Sequence, residues 1–210
     1  MPSIEFVTLE VSSGPTAAST FYAEAFDLGT RVRVGGSQAP TTGFRGFAVS
    51  LVVSQPNIVD SYFDAALERG ATALKPAAKS FWGYGGVLRD PYGTIWKIAS
   101  SSKKNTGPAR RHVDDIVLLL GVADVAATKR YYVERGLPVA KSFGRKYVEF
   151  ATSGIKLALY GRRAAAKDAG VSPDGTGSHR LVIGGDAGTF ADPDGFRWEA
   201  ASAFVPASSE

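Results

Sequence analysis

The sequence predicts an α+β fold in which one strand–helix–strand unit is duplicated. The turn Asp90-Pro91-Tyr92-Gly93 recurs about a hundred residues later as Asp192-Pro193-Asp194-Gly195, and a strand-like run with a tryptophan follows each copy. An aromatic pair at helical spacing also recurs, as Phe21-Tyr22 and then Tyr131-Tyr132. Asp accepts a backbone hydrogen bond in such a turn, Pro presets φ, and Gly tolerates the last position. Two copies of both signals indicate an internal repeat.

In the first half, alternating polarity predicts strands, and apolar residues three or four positions apart predict helices. Pro15 and Pro56 stand near the two helix starts, and Gly70 ends the second helix. The predicted elements are strand 4–11, helix 15–27, strand 30–34, strand 47–53, helix 57–69, strand 72–74, strand 87–89 and the strand around Trp96.

The second half repeats this order with differences. The run from Asp115 to Leu120 is apolar on both faces, which is typical of a deeply buried strand. Only Gly184 to Thr189 lie between the strand at 179–183 and the last strand pair, so no helix fits there. The predicted elements are strand 115–120, helix 122–135, the antiparallel pair 146–150 and 155–160, helix 164–168, strand 179–183 and the strand around Trp198.

A polar, basic segment separates the halves. It contains Gly107-Pro108, which favours an extended linker. The sequence therefore predicts a first domain over 1–101, a linker over 102–111 and a second domain over 112–210.

Composition excludes several classes of protein. Of the 210 residues, 44% are hydrophobic and 21% charged, as in a globular domain with a real core. The absence of cysteine excludes disulfides, thiolate catalysis and cysteine-bound zinc. The N-terminus lacks a signal-peptide pattern, and the longest apolar run, Ile116 to Leu120, is too short to cross a bilayer. We therefore expect a cytoplasmic protein without a membrane partner.

The net charge of +4 does not predict nucleic-acid binding. The basic residues cluster in three pairs, Lys103-Lys104, Arg110-Arg111 and Arg162-Arg163. These pairs either contact an anionic ligand or lie in solvated loops. No nucleic-acid motif accompanies them. We therefore expect no nucleic-acid partner.

At the repeated turn, aromatic helix and closing tryptophan strand, the chain resembles the vicinal-oxygen-chelate superfamily. This superfamily includes glyoxalase I, the bleomycin-resistance proteins and the extradiol dioxygenases. The resemblance implies an α+β fold of two glyoxalase-like domains, built from paired βαβββ modules whose curved mixed sheets enclose a pocket. It covers nearly the whole chain, although the first and last modules are shortened. Whether the protein forms a homodimer is left open.

The resemblance also implies positions for metal ligands on the first and last strands of each module. In the first domain these positions fall at Phe6, Ala48 and Lys97, which present no suitable lone pairs to a metal. The Lys97 ammonium can instead bind an anionic ligand or form a salt bridge, for which Glu10 is the candidate partner.

In the second domain the corresponding positions fall at Asp115, His179 and Glu199. One histidine and two carboxylates suit iron, manganese or zinc. The same three side chains also suit a hydrogen-bonded cluster, or Glu199 can pair with Arg180 or Arg197. A fourth family position falls near Leu157, which cannot bind a metal. No cofactor is predicted beyond this divalent metal.

The remaining candidates line a ligand pocket. Phe81, Trp82 and Tyr84 stand among glycines before the first turn, where they either line a pocket or plug the curved sheet. Arg45 is a further candidate for contact with an anionic group. The predicted ligand-binding set is Phe6, Arg45, Trp82, Tyr84 and Lys97.

Three functions are consistent with these features. The first is a glyoxalase/bleomycin-resistance-like protein that binds a small organic ligand in a concave sheet pocket, without a metal in the first domain. The second is a metal-dependent lyase, isomerase or dioxygenase that uses the second domain. The third is a structural or partner-binding protein without catalysis. The sequence leaves open whether the protein is an enzyme.

Overall fold

The structure, a computed structural model, describes residues 1–201 of the chain. The last nine residues of the predicted second domain, 202–210, lie outside the described residues. Residues 1–100 contain β1 (Ser3–Val11), α1 (Pro15–Phe26), a 3₁₀ turn (Gly29–Arg31), β2 (Val32–Gly36), β3 (Thr41–Gly43), β4 (Phe47–Val52), α2 (Pro56–Glu68), β5 (Thr72–Ser80), β6 (Gly83–Arg89) and β7 (Ile95–Ser100). None of the helices within residues 1–201 is long and apolar enough to span a membrane.

The second half follows the same order. It contains β8 (Asp115–Val122), α3 (Val125–Glu134), β9 (Val139–Phe143), β10 (Tyr147–Phe150), β11 (Ser153–Gly154), β12 (Lys156–Gly161), α4 (Arg162–Ala169), β13 (Gly175–Gly177), β14 (Leu181–Gly185), β15 (Phe190–Ala191) and β16 (Arg197–Ala200). Helix α3 begins three residues later than predicted, because Asp124 accepts hydrogen bonds from the N–H groups of Ala126 and Ala127 as an N-cap. As predicted, no helix separates β14 from β15.

Each of the two large sheets takes strands from both halves. Among the described residues, one sheet has the order β5-β6-β7-β4-β8-β12-β10-β9, and the other has β11-β1-β14-β16-β15 with β2 also paired to β1. The halves meet where the antiparallel pairs β4–β8 and β1–β14 form. The α+β fold of paired modules with mixed sheets is confirmed. The domain boundary at 102–111 stays a prediction; residues 101–114 contain no helix or strand.

The carboxylate of Asp90 joins the first repeated turn to helix α1. Its Oδ1 accepts hydrogen bonds from the backbone N–H groups of Tyr92 and Thr94, both at 2.9 Å. Its Oδ2 accepts from the Tyr22 hydroxyl at 2.8 Å and the Trp96 indole N–H at 2.9 Å. The aromatic helix, the turn and the tryptophan strand of the repeat therefore form one buried polar cluster.

The second copy repeats this cluster with one change. The Oδ1 of Asp192 accepts from the backbone N–H groups of Asp194 and Phe196. Its Oδ2 accepts from the Tyr132 hydroxyl at 2.6 Å, and the Trp198 indole donates to that hydroxyl at 3.2 Å. Both tryptophans are buried on the helix-covered side of their sheets, as the alternation of the strands predicts.

Candidate ligand-binding clefts

The concave face of the eight-stranded sheet carries the candidate site. Trp96 and Ile98 point to the helices and lie in the main core, so Lys97 between them points to the opposite, concave face. The residues that pair with Lys97 and with one another on neighbouring strands form a row across five strands on this face. The row consists of Val87, Lys97, Ser50, Val117 and Lys156.

Helix α4 lies across this concave face. Its Ala166 and Ala169 are buried in a small apolar cluster with Val87 and other residues. On β8, Gly121 allows the close approach, because a Cβ there would lie 2.9 Å from the Cβ of Ala165. Small side chains on both surfaces therefore let the helix pack directly on the sheet, with one cleft at each end of the helix.

The end of α4 is held by two lysines from the sheet. The Nζ of Lys97 lies 2.8 Å from Oδ2 of Asp168, and the two side chains are 31% and 43% exposed. The Nζ of Lys75 donates to the carbonyl oxygens of Lys167 at 2.8 Å and Asp168 at 2.6 Å. A cation at the last carbonyls of a helix also interacts favourably with the helix dipole.

The predicted pairing of Lys97 with Glu10 is wrong. Glu10 lies on β1 in the other sheet and pairs with Arg197 at 2.5 Å. The alternation of β7 sets the direction of Lys97 correctly, but its partner comes from α4, far away in the sequence.

The first of the two clefts, which we call the lysine cleft, opens between the end of α4 and strands β6 and β7. Its volume is about 410 Å³, and Val87, Lys97, Ala99 and Asp168 are among its walls. Gly85 lets β6 lie close to β7 there, because a Cβ would lie 2.6 Å from the Ile98 carbonyl oxygen. The cleft is thus mainly apolar and contains a half-exposed ion pair, a combination that suits a small organic ligand with one polar group.

Trp82 and Tyr84 border this cleft in different ways. Trp82 is 83% exposed at the turn between β5 and β6, where its ring packs edge-on against Phe81. The Tyr84 hydroxyl donates to Asp60 of α2 at 2.6 Å, away from the concave face. This hydrogen bond, with burial, raises the pKa of Tyr84 to about 12, so its phenol stays protonated at neutral pH.

Two members of the predicted ligand-binding set lie elsewhere. Phe6 is fully buried on β1 in the other sheet, with the Arg33 guanidinium over its ring. Arg45 donates to the Tyr92 carbonyl oxygen at 2.7 Å, and its guanidinium covers Gly93 of the repeated turn. The structure therefore brings Trp82, Tyr84 and Lys97 to one cleft and places Phe6 and Arg45 away from it.

The predicted metal ligands do not come together either. Asp115 lies on β8 and pairs with Lys156 at 2.6 Å, whereas Glu199 lies on β16 of the other sheet. The ring of His179 stacks on Phe196, with one nitrogen 2.5 Å from the Arg45 carbonyl oxygen and the other 2.9 Å from that of Asp194.

This donor set does not fit a metal centre. Both His179 nitrogens already face backbone carbonyl oxygens. On the concave face, neither the Ala48 methyl group nor the Lys97 ammonium offers a lone pair to a metal ion. Leu157 is fully buried in the main core. Within residues 1–201, no group of three or more histidine and carboxylate side chains is arranged to hold a metal ion.

Sequence reasoning missed Asp168, Lys75 and Lys156. The helix around Asp168 was predicted, but an eight-residue helix carries no signal for the sheet on which it packs. Lys75 lies in β5, which was predicted to end at Leu74 and extends to Ser80. Pro76 and the alanines after it gave no strand signal, and pairing with β6 outweighed that weak propensity.

Comparison with known proteins supports the fold. No protein-family model matches the chain, and no curated protein sequence matches it. Glyoxalase I from Zea mays is similar in structure, with a TM-score of 0.61 and 13% identity over 95% of this chain and 92% of that chain. A putative dioxygenase from Bacillus subtilis subsp. subtilis str. 168 has a TM-score of 0.54 and 14% identity over 87% of this chain and 69% of that chain.

The chain thus has the fold of the vicinal-oxygen-chelate superfamily. At identities of 13% and 14% the likeness concerns the fold alone. What the protein does has to be argued from its own clefts, because one fold supports many functions.

Proposed function

We propose that this protein binds a small organic ligand in the lysine cleft, with no metal at the positions of Ala48 and Lys97. The observation that carries the proposal is the Lys97–Asp168 pair at the wall of a mainly apolar cleft of about 410 Å³. That volume lies within the range of roughly 300–1,000 Å³ that is usual for small-molecule sites. The glyoxalase/bleomycin-resistance-like fold supports the same class of function.

The chemistry of the cleft selects the ligand. Val87 and Ala99 offer an apolar surface, and the exposed Trp82 offers a ring face at the rim. The Lys97 ammonium is paired but 31% exposed, so a ligand carboxylate can exchange with Asp168 at its Nζ. We therefore assign the cleft to an aromatic or amphipathic acid.

The test uses two variants with opposite expected effects. Lys97→Met keeps the aliphatic volume and removes the ammonium, so binding of an aromatic carboxylate should weaken by about threefold to tenfold. Asp168→Asn removes the competing carboxylate, so the same ligand should bind more tightly. Affinity is measured by tryptophan fluorescence during titration with a small set of aromatic acids, because Trp82 is exposed while Trp96 and Trp198 are buried.

Two control variants make this test specific. Lys156→Met removes another lysine of the same row that is paired with an aspartate; Lys156 is not among the residues that line the lysine cleft, so affinity should stay unchanged. Trp82→Phe should remove the fluorescence response without removing binding, which calorimetry would still detect. Equal effects of Lys97→Met and Lys156→Met, or no binding of any acid by the wild type, would refute the proposal.

The metal-dependent alternative predicts a different pattern. It requires Asp115, His179 and Glu199 to meet in one coordination sphere. In that case the purified protein would contain stoichiometric iron, manganese or zinc by elemental analysis, and Glu199→Gln would remove it while Lys97→Met would not. If neither a ligand nor a metal is bound, the structural or partner-binding function is the one that remains.

A further inference from the structure

The second cleft lies at the other end of α4. Its volume is about 850 Å³, and it is bordered by the turn between β9 and β10, the last residues of β12 and the start of α4. The start of α4 faces this cleft, with Arg162 and Arg163, while its end faces the lysine cleft, with Asp168. The two clefts are therefore separate, and an inference about the second does not rest on the function proposed for the first.

Aromatic rings form a ladder at this cleft. Tyr147 on β10 pairs in register with Phe143 on β9 and with Tyr160 on β12, so the three side chains share one face of the sheet. The ring centroids of Tyr147 and Tyr160 are 4.9 Å apart, and those of Phe143 and Tyr147 are 6.0 Å apart. Phe143 is 65% exposed, and both tyrosines are partly exposed. Such a ladder offers a surface on which a planar ring can stack.

Basic side chains surround the aromatic floor. Arg145, Lys146 and Arg163 are exposed at the cleft, where Asp174 is the acidic lining residue. The Arg145 side chain is 81% exposed, with its guanidinium 3.8 Å from Asp124. By contrast, Arg162 donates to the Phe44 and Pro173 carbonyl oxygens and is part of the framework. The three exposed cations thus leave the cleft with an excess of positive charge.

The acidic groups nearby are already engaged. Asp174 accepts a hydrogen bond from the Ser172 hydroxyl at 2.7 Å. Glu149, on the same face of the sheet, accepts from the Tyr147 hydroxyl at 3.0 Å. Burial and this hydrogen bond raise the pKa of Tyr147, so its phenol stays neutral and does not repel an anion.

We propose that this second cleft, the tyrosine cleft, binds a planar aromatic ring that carries a phosphate or sulfate group. The ring stacks on Tyr147 and Tyr160, which line the cleft, and Phe143 continues the ladder next to Tyr147. The anionic group takes charge-assisted hydrogen bonds from Arg145 and Arg163, whose planar guanidinium groups match tetrahedral oxyanions.

The experiment measures the contributions of the aromatic ring and of the anionic group to binding separately. Binding of 4-nitrophenyl phosphate to the full chain is measured by calorimetry at low salt, beside inorganic phosphate and 4-nitrobenzyl alcohol. We expect the aryl phosphate to bind more tightly than either of the other two, and its affinity to fall as salt rises. If inorganic phosphate binds as tightly as the aryl phosphate, the ring is not recognised and the proposal is overturned.

Variants locate the site. Arg145→Gln and Arg163→Gln should each weaken aryl phosphate binding by about threefold to tenfold, and Tyr147→Leu should weaken it without affecting inorganic phosphate. Lys104→Gln removes one exposed linker charge and serves as the control for net charge. An equal loss with Lys104→Gln would contradict the assignment.

Discussion

At the scale of single residues, the two turn aspartates do more than shape a turn. The sequence shows Asp90 and Asp192 as turn residues, and local turn chemistry was enough to predict their place. The structure adds that Tyr22 and Tyr132, one from each aromatic helix pair, donate to those carboxylates. The repeated aromatic helix and the repeated turn are therefore one unit, held together by a buried hydrogen-bonded carboxylate.

We expect Asp90→Asn to destabilise the fold. The amide oxygen can replace Oδ1 as the acceptor for the turn, but the amide nitrogen cannot accept the Trp96 indole N–H. An unpaired buried donor costs about 1–3 kcal/mol in free energy of unfolding. Urea unfolding at pH 7 measures the loss. Asp192→Asn should cost less, because the Trp198 indole donates to the Tyr132 hydroxyl and keeps its acceptor.

The cost of Asp90→Asn should also depend on pH. Burial raises the pKa of Asp90 in the folded protein, although hydrogen bonds to its carboxylate oppose this shift. A raised folded pKa contributes stability that is present below the unfolded pKa of about 3.9 and is lost as pH rises through the folded pKa. The asparagine variant lacks this contribution. The difference in free energy of unfolding between wild type and variant should therefore become smaller as pH rises from about 4. A difference that grows over this range would contradict the prediction.

At the scale of elements, α4 determines what the concave face can bind. It contacts β4, β8 and β12, and it ends under Lys75 and Lys97. The helix itself was predictable from Ala164 to Asp168, but the surface on which it packs was not. A short alanine-rich helix can pack on either sheet, and only contacts between residues distant in sequence decide which one it covers.

We expect Gly121→Val to displace α4. A side chain at this position would meet Ala165 at 2.9 Å and the Gly46 carbonyl oxygen at 3.2 Å. Overpacking of this kind costs about 1–3 kcal/mol in free energy of unfolding. Urea unfolding should show that loss, and hydrogen exchange of the α4 amides should become faster. Gly36→Val, at the exposed end of β2 where no atom lies within 4 Å of the added Cβ, is the matched control. Equal losses in the two variants would contradict the close approach.

At the scale of the whole molecule, strand order limited what could be predicted. Alternation within each strand correctly set the faces of Trp96, Lys97 and Trp198. It did not show that Phe6 and Lys97 belong to different sheets, because that depends on which strands from distant parts of the chain pair. The pocket predicted around Phe6, Lys97, Trp82 and Tyr84 therefore divides, with Phe6 in the sheet of β1 and the other three at the lysine cleft.

The same strand order makes each half of the chain dependent on the other. The first half supplies β1 and β4, and the second supplies their antiparallel partners β14 and β8. Trp96 and Trp198 belong to one continuous core cluster that contains residues of both halves. The isolated first half would expose one edge of β1 and of β4, and the isolated second half one edge of β14 and of β8, each together with part of this core.

We therefore expect residues 1–111 and 112–210, produced separately, not to fold as stable monomers. Each half should either lack a cooperative thermal transition by circular dichroism or associate with itself, because two copies of β4 can pair as β4 and β8 do. Mixed in equal amounts, the halves should form a one-to-one complex with the spectrum of the intact chain, which size-exclusion chromatography with light scattering would detect. A monomeric half that unfolds cooperatively would show that the shared sheets are not required for its stability.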